Sequence, residues 1–166
     1  MGGSGGGGFR SSDLERLEQK AKQSLKDASA DVSPHVFISF AYEDRDEVNL
    51  LRGQAKNDKT ELQFDDYSVK DAFDSKNADY IKQQIRDKME KTSVTLVYLS
   101  PESAKSKWVD WEIRESLKRE KGVVGVYKGD KPPIELPTAF KEFRLPIVKW
   151  THEDITKAID KARKSK

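Results

Sequence analysis

Residues 93–100 (SVTLVYLS) limit the possible folds more than any other part of the sequence. Apolar residues stand at neighbouring positions, so a strand formed here would be buried on both faces. Such strands lie at the centre of parallel sheets, and parallel strands need long crossover connections that are usually helical. The segment therefore predicts an α/β fold.

Strand and helix patterns alternate along the rest of the chain. Four more strands are predicted at residues 35–40 (HVFISF), 61–66 (ELQFDD), 122–127 (GVVGVY) and 145–150 (LPIVKW). Helical stripes separate or follow them: Val48/Leu51/Ala55, Ala78/Ile81/Ile85/Met89, Val109/Ile113/Leu117 and Ile155/Ala158/Ile159/Ala162. We expect a flavodoxin-like three-layer sandwich, with a five-stranded parallel sheet of order 2-1-3-4-5.

A binding crevice in this topology lies outside the carboxyl ends of strands 1 and 3. By that rule, residues 40–44, the loop after Asp66 and residues 100–108 surround the opening of this crevice, which we call the predicted mouth. We expect any functional site to lie there.

An extra helix precedes the sheet. Residues 1–10 are predicted to be a flexible Gly-rich leader or a cloning remnant. Residues 11–33 form an amphipathic helix and linker, opened by a capping box from Ser12 to Glu15, and residues 34–166 form the main domain. Three roles are open for this helix: it packs on the domain, it is the end of a coiled coil, or it links to another module. Two heptads are too few to distinguish them.

Charge and composition exclude several classes of function. Lys and Arg number 31 against 29 Asp and Glu, and this balance argues against a nucleic-acid binder. The chain has no Cys, so disulfides, thiolate metal sites and a Cys nucleophile are excluded. No run reaches the roughly 18 apolar residues of a membrane span. We expect a soluble cytoplasmic protein that binds neither membrane nor metal.

Several familiar site types lack their residues. Phosphotransfer domains of this topology need an Asp at the end of strand 3, where the chain has Tyr98, Leu99 and Ser100. No G-x-G-x-x-G follows strand 1, and no P-loop is present. His35 and His152 are far apart, so both a zinc site and a Ser–His–Asp triad are disfavoured.

Residues 106–112 (SKWVDWE) combine two Trp with a glutamate at the start of the helix after strand 3. If the Val109/Ile113/Leu117 stripe faces inward, Glu112 lies roughly 100° from its centre, beside Trp108 and Glu115. Partial burial against an indole and a second negative charge would both raise the pKa of the Glu112 carboxyl. Spacing leaves two interpretations open: a group that acts as an acid or base or binds a sugar hydroxyl, or a structural ion pair with an Arg or Lys such as Arg86 or Arg114.

The two tryptophans are predicted to differ in role. Trp108 is expected to lie at the edge of the crevice and to form a wall of the pocket. Trp111 points further out, toward a loop or another subunit.

Several ordered motifs resemble Toll/interleukin-1 receptor (TIR) domains. HVFISFAYEDRDEV (residues 35–48) resembles their first-strand box, and WVDWE (108–112) keeps their W-C-x-x-E spacing with Val109 in place of Cys. SVT-x-V (93–97), WVDWEI (108–113) and GVVG (122–125) are similar to the bacterial and archaeal TIR-like branch that includes the Thoeris antiphage subunit. The resemblance spans residues 34–150 and implies the same flavodoxin-like fold.

Two motifs of that family are missing. No R-D-x-x-P-G follows strand 2, where residues 65–69 are DDYSV, although this loop often closes the nucleotide site or mediates assembly. The Phe-Trp box near the last helix is reduced at most to residues 148–150 (VKW).

The resemblance implies a function. Glu112 matches the catalytic glutamate of TIR domains that cleave NAD at its N-glycosidic bond, giving ADP-ribose or a cyclised isomer, with NAD as substrate and no separate cofactor. It also implies that substrate is bound by Phe40, Ala41, Tyr42, Ser100 and Trp108. One alternative is a non-catalytic module that signals by self-association or by binding a sensor or effector protein. Another is a nucleotide-handling relative such as a nucleoside deoxyribosyltransferase.

Overall fold

The computed structural model describes residues 11–30, 35–57, 63–65 and 73–164. The chain divides into two compact units, Met1–Ser33 and Pro34–Lys166. In the first unit, helix α1 runs from Ser11 to Ala30. Leu14 and Leu17 of this helix are about half exposed. The predicted leader, residues 1–10, and the linker, residues 31–33, lie outside the described residues.

The second unit is built on a parallel sheet. Its strands are β1 (His35–Ser39), β2 (Gln63–Asp65), β3 (Val94–Tyr98), β4 (Gly122–Tyr127) and β5 (Ile147–Lys149), and they lie in the order β2-β1-β3-β4-β5. All four neighbouring pairs are parallel. The α/β class and the parallel sheet are therefore confirmed.

Helices pack against both faces of the sheet. They are α2 (Arg45–Asn57), α3 (Ala78–Glu90), α4 (Pro101–Lys105), α5 (Lys107–Lys118), α6 (Thr138–Phe143) and α7 (His152–Lys164). On one face, α2 and α7 bury Leu51, Ile155 and Ile159 against β1, β3 and β4. On the other, α3 and α5 cover Phe37 and Val97. Successive residues of β1 thus point to opposite layers.

Some boundaries differ from the prediction. The predicted strand 2, residues 61–66, is described only at Gln63–Asp65, and the loop after Asp66 lies outside the described residues. The last strand is three residues long, from Ile147 to Lys149, and not the predicted six. Helices α4 and α6 were not predicted.

Thr151 and Trp150 make the contacts at the start of α7. The Thr151 hydroxyl accepts a hydrogen bond from the Asp154 amide at 3.1 Å, and Trp150 packs against the cluster that contains Ile155. Within the part of the chain that the structure describes, no helix has both the length and the apolar character needed to cross a bilayer.

Candidate functional site

Glu112 lies inside the protein, beside the carboxyl end of β1. Its side chain is fully buried, and its Oε1 accepts a hydrogen bond of 2.9 Å from the Ser39 hydroxyl. Ser39 is the last residue of β1 and points to the same layer as Phe37, toward α3 and α5. The bond therefore ties a helix residue to the end of a central strand, at the edge of the sheet where the crevice was predicted.

Ser39 was not among the predicted site residues. One signal pointed to it: a small polar residue follows the apolar residues 36–38 at the end of the strand. A buried carboxylate needs a hydrogen-bond donor, and this position can supply one.

The arginines considered as ion-pair partners of Glu112 bind other carboxylates. Arg86 contacts Glu115 at 2.9 Å, and Arg119 contacts the same Glu115 oxygen at 3.2 Å. Arg114 contacts Asp110 at 2.8 Å and Glu142 at 2.7 Å. These carboxylates raise the pKa of Arg114 further above its usual range. Arg86 thus pairs with Glu115, and Arg114 pairs with Asp110 and with Glu142 of α6.

Glu112 is buried more deeply than predicted. The buried residues of α5 are Trp108, Val109, Glu112, Ile113, Glu115 and Ser116, whereas Leu117 is only partly buried. The inward face of the helix therefore keeps Val109 and Ile113 and extends to Glu112 and Ser116. Hydrogen bonds from other elements allow polar residues to occupy this face, which an apolar pattern does not show.

Trp108 and Phe40 belong to different core clusters. Trp108 packs with Phe37 and makes edge contacts with Phe73 and Trp111, at ring-centroid distances of 4.9 and 5.9 Å. Phe40 packs with Val48 of α2, on the opposite face of β1. The structure therefore places these two predicted substrate-binding residues in different clusters, Phe40 with α2 and Trp108 with α3.

Trp111 is also placed differently from the prediction. It packs against α3, where Arg86 and Lys82 lie 5.5 and 5.6 Å from its ring centroid. Two cations thus cover this indole within one molecule.

Ser100 and Asp44 join the loops that follow β3 and β1. The Ser100 hydroxyl donates to Asp44 and accepts from the Ser103 amide at 3.0 Å, which caps α4. Burial raises the pKa of the Asp44 carboxyl; the Ser100 bond opposes this, and Glu102 adds to it. Ser100 thus links two loops of the predicted mouth.

Ala41 and Tyr42 follow β1 at the same edge. Ala41 is buried, and its carbonyl accepts from the Asp44 amide at 2.9 Å. Tyr42 is 58% exposed, and the Arg45 guanidinium lies 4.8 Å from its ring centroid. Of the predicted substrate-binding side chains, Tyr42 is the one placed at the surface.

A surface pocket of about 370 Å³ lies at the end of α4 and the first turns of α5, lined by Phe73, Trp111, Arg114, Thr138 and residues 104–107 and 110. None of the six predicted site residues lines it. Among the described residues, no group of three or more His, Asp and Glu side chains could hold a metal ion.

Comparisons with known proteins identify relatives of the chain. The family described as "Thoeris protein ThsB, TIR-like domain" matches residues 37–132, which is more than half of the chain. No curated protein matches the chain.

Two solved structures are similar. The TIR domain of the Toll-related receptor TRR-2 from Hydra magnipapillata has 19% identity and a TM-score of 0.47; the match covers 76% of this chain and 91% of that one. The TIR domains of the activated Roq1 resistosome, which recognises the effector XopQ, have 22% identity and a TM-score of 0.40, with 60% of each chain covered. On the strength of the family match over residues 37–132, the chain belongs to the ThsB TIR-like domain family.

Proposed function

We propose that this domain binds NAD and cleaves its N-glycosidic bond, with Glu112 as the catalytic residue. One observation carries the proposal: Glu112 is a fully buried carboxylate held by Ser39 beside the carboxyl end of β1. Burying a carboxylate costs free energy, and groups kept in such environments are often functional. Membership of the TIR-like family supports the choice of substrate, and with it a role in signalling or antiphage defence.

The chemistry needs one well-placed negative charge. Nicotinamide leaves with the electron pair of the bond to ribose C1′, and positive charge develops on the sugar. The Glu112 carboxylate stabilises this oxocarbenium-like state. Addition of water to C1′ then gives ADP-ribose and a proton, whereas attack by the adenine ring gives a cyclic product.

Access to Glu112 requires an open form of the site. The carboxylate is fully buried, so the ribose reaches it only when the layer between β1 and α5 opens. NAD that binds this open form shifts the population toward it.

The first prediction tests the glutamate. Glu112→Gln keeps an oxygen that accepts the Ser39 bond but removes the charge. We expect nicotinamide release from NAD to fall on the order of 100-fold or more. Turnover is measured at increasing protein concentration, with circular dichroism to verify the fold.

Glu115→Gln is the matched control. It removes a buried carboxylate three residues along the same helix, and the amide oxygen still accepts from Arg86. This variant should keep its activity. Equal NAD cleavage by Glu112→Gln and the unmodified protein would rule out the assignment.

A second function, self-association in signalling, is favoured by one observation. Leu14 and Leu17 are 48% and 50% exposed on α1, three residues apart on one helical face. Such an apolar stripe suits pairing with another helix. In this version the domain acts by assembly, with a sensor or effector protein as a further partner.

A further inference from the structure

We propose that Ser39 is a positioning residue for the Glu112 carboxylate. Its hydroxyl orients Oε1 and favours the charged form. The inference rests on the proposed function for its role in catalysis, but the bond itself can be tested without turnover.

The backbone of Ser39 is held in a rigid place. β1 lies between β2 and β3, and Ser39 is paired in register with Val97. The side chain is fully buried, so few rotamers are open to the hydroxyl. A donor at 2.9 Å on such a strand fixes the carboxylate more precisely than a donor on a loop.

A second hydroxyl holds the main chain of the same glutamate. Ser116 donates to the Glu112 carbonyl oxygen at 2.8 Å, and the Thr95 hydroxyl of β3 lies 2.6 Å from that of Ser116. Glu112 is thus connected to β1 through its carboxylate and to β3 through its carbonyl. The two connections differ in kind, because only the Ser39 bond acts on the ionisable group.

A hydroxyl that donates to a carboxylate stabilises its charged form. The proposed reaction needs that form, since a neutral carboxyl would not stabilise a developing positive charge. It also needs the carboxylate plane to be fixed when the ribose arrives. Ser39 serves both requirements with one bond.

Charged groups on elements close to Glu112 include Glu115 on α5, Arg86 on α3, and Asp44 in the turn that follows β1. None of them changes in the variants below, so a difference between variants reports the Ser39 bond.

The test compares Ser39→Ala with Ser116→Ala in the full chain. Each removes one buried hydroxyl bound to Glu112, from the carboxylate in the first variant and from the carbonyl in the second. Two quantities are measured: kcat/KM for NAD cleavage against pH, and the pH titration of the Glu112 side-chain carbon by ¹³C NMR. The NMR signal is assigned by its loss in Glu112→Gln.

For Ser39→Ala, we expect kcat/KM to fall about tenfold at neutral pH. Its acidic limb and the Glu112 titration midpoint should both move upward by about one pH unit. In Ser39→Thr, which keeps a hydroxyl, both should return toward their original positions. Ser116→Ala should lower the unfolding temperature and leave the titration midpoint in place. If Ser39→Ala does not fold, Ser39→Cys takes its place as a weaker donor, with a smaller upward shift expected.

Two results would overturn the inference: an unchanged Glu112 midpoint in Ser39→Ala, or an equal shift in Ser116→Ala. Failure of the proposed function is distinguishable from these, since it appears as no NAD cleavage by the unmodified protein. In that case the NMR titration still decides whether Ser39 controls the Glu112 carboxylate.

Discussion

At the scale of single residues, Tyr98 shows how the fold alters an ionisable group. It is buried at the end of β3, with its ring 5.5 Å from that of Trp150 in an edge contact. Burial, together with the negative charges of Glu47 and Asp44, raises the pKa of the Tyr98 phenol to about 12. The unfolded chain has a tyrosine pKa of about 10.

This difference predicts a loss of stability at alkaline pH. Below pH 10 the phenol is neutral in both states, so its contribution is fully present. Between about pH 10 and 12 only the unfolded state releases the proton, and the unfolding free energy falls by up to about 1.4 kcal/mol per pH unit. Urea unfolding of the protein and of Tyr98→Phe at pH 9 and 11 measures this. Parallel pH dependence in the two proteins would contradict the assignment.

Glu112 shows which properties of a single residue can be predicted from the sequence and which cannot. Its helix, its place near the strand ends and its neighbour Trp108 followed from periodicity. Its full burial did not, because that depends on Ser39, 73 residues away. Arg86 and Glu115 show the same limit. Arg86 was one candidate partner of Glu112, but a helical wheel does not show which of two neighbouring carboxylates an arginine contacts.

At the scale of elements, Gly125 of β4 and Gly53 of α2 differ in the space around a possible side chain. A Cβ on Gly125 would lie 2.6 Å from Phe140 Cε1 and 2.7 Å from Leu99 Cδ1. Helix α6 therefore packs closely on β4 because this residue has no side chain. A Cβ on Gly53, inside α2, would have no heavy atom of another residue within 4 Å beyond its own helical turn and chain neighbours.

These two positions predict stability changes of opposite sign. Gly125→Ala should destabilise the protein by about 1–3 kcal/mol, since the core must shift to admit a methyl group. Gly53→Ala should stabilise it by about 0.5–1 kcal/mol, because alanine has the higher helix propensity. Chemical denaturation of the two variants provides the comparison. A destabilised Gly53→Ala, or an unaffected Gly125→Ala, would show that the packing is different.

The elements found from the sequence are those with long apolar periods. All four apolar residues of the α3 stripe are buried, as predicted. Helices α4 and α6 were missed because each has only five or six residues. A segment that short does not complete two helical turns, so no period is visible. Ser100 and Ser103, which form a capping box, were the available signal for α4.

At the scale of the whole molecule, the chain consists of two compact units, Met1–Ser33 and Pro34–Lys166. The sheet, Glu112 and Ser39 all belong to the second unit. The exposed leucines of α1 belong to the first. The proposed catalytic chemistry and the proposed self-association therefore reside in different units, and truncation can separate them.

We expect a chain that begins at Pro34 to unfold cooperatively on heating, because the described residues of its core clusters all belong to this unit. The full chain should show a mass that rises with concentration in light scattering. Truncation at Pro34 and the double variant Leu14→Ser/Leu17→Ser should both remove that rise, since each removes the apolar stripe of α1.

A truncated chain without a cooperative transition would refute the independence of the second unit. A full chain that stays monomeric at all concentrations would refute assembly through α1, and NAD cleavage by that monomer would leave the catalytic proposal standing alone.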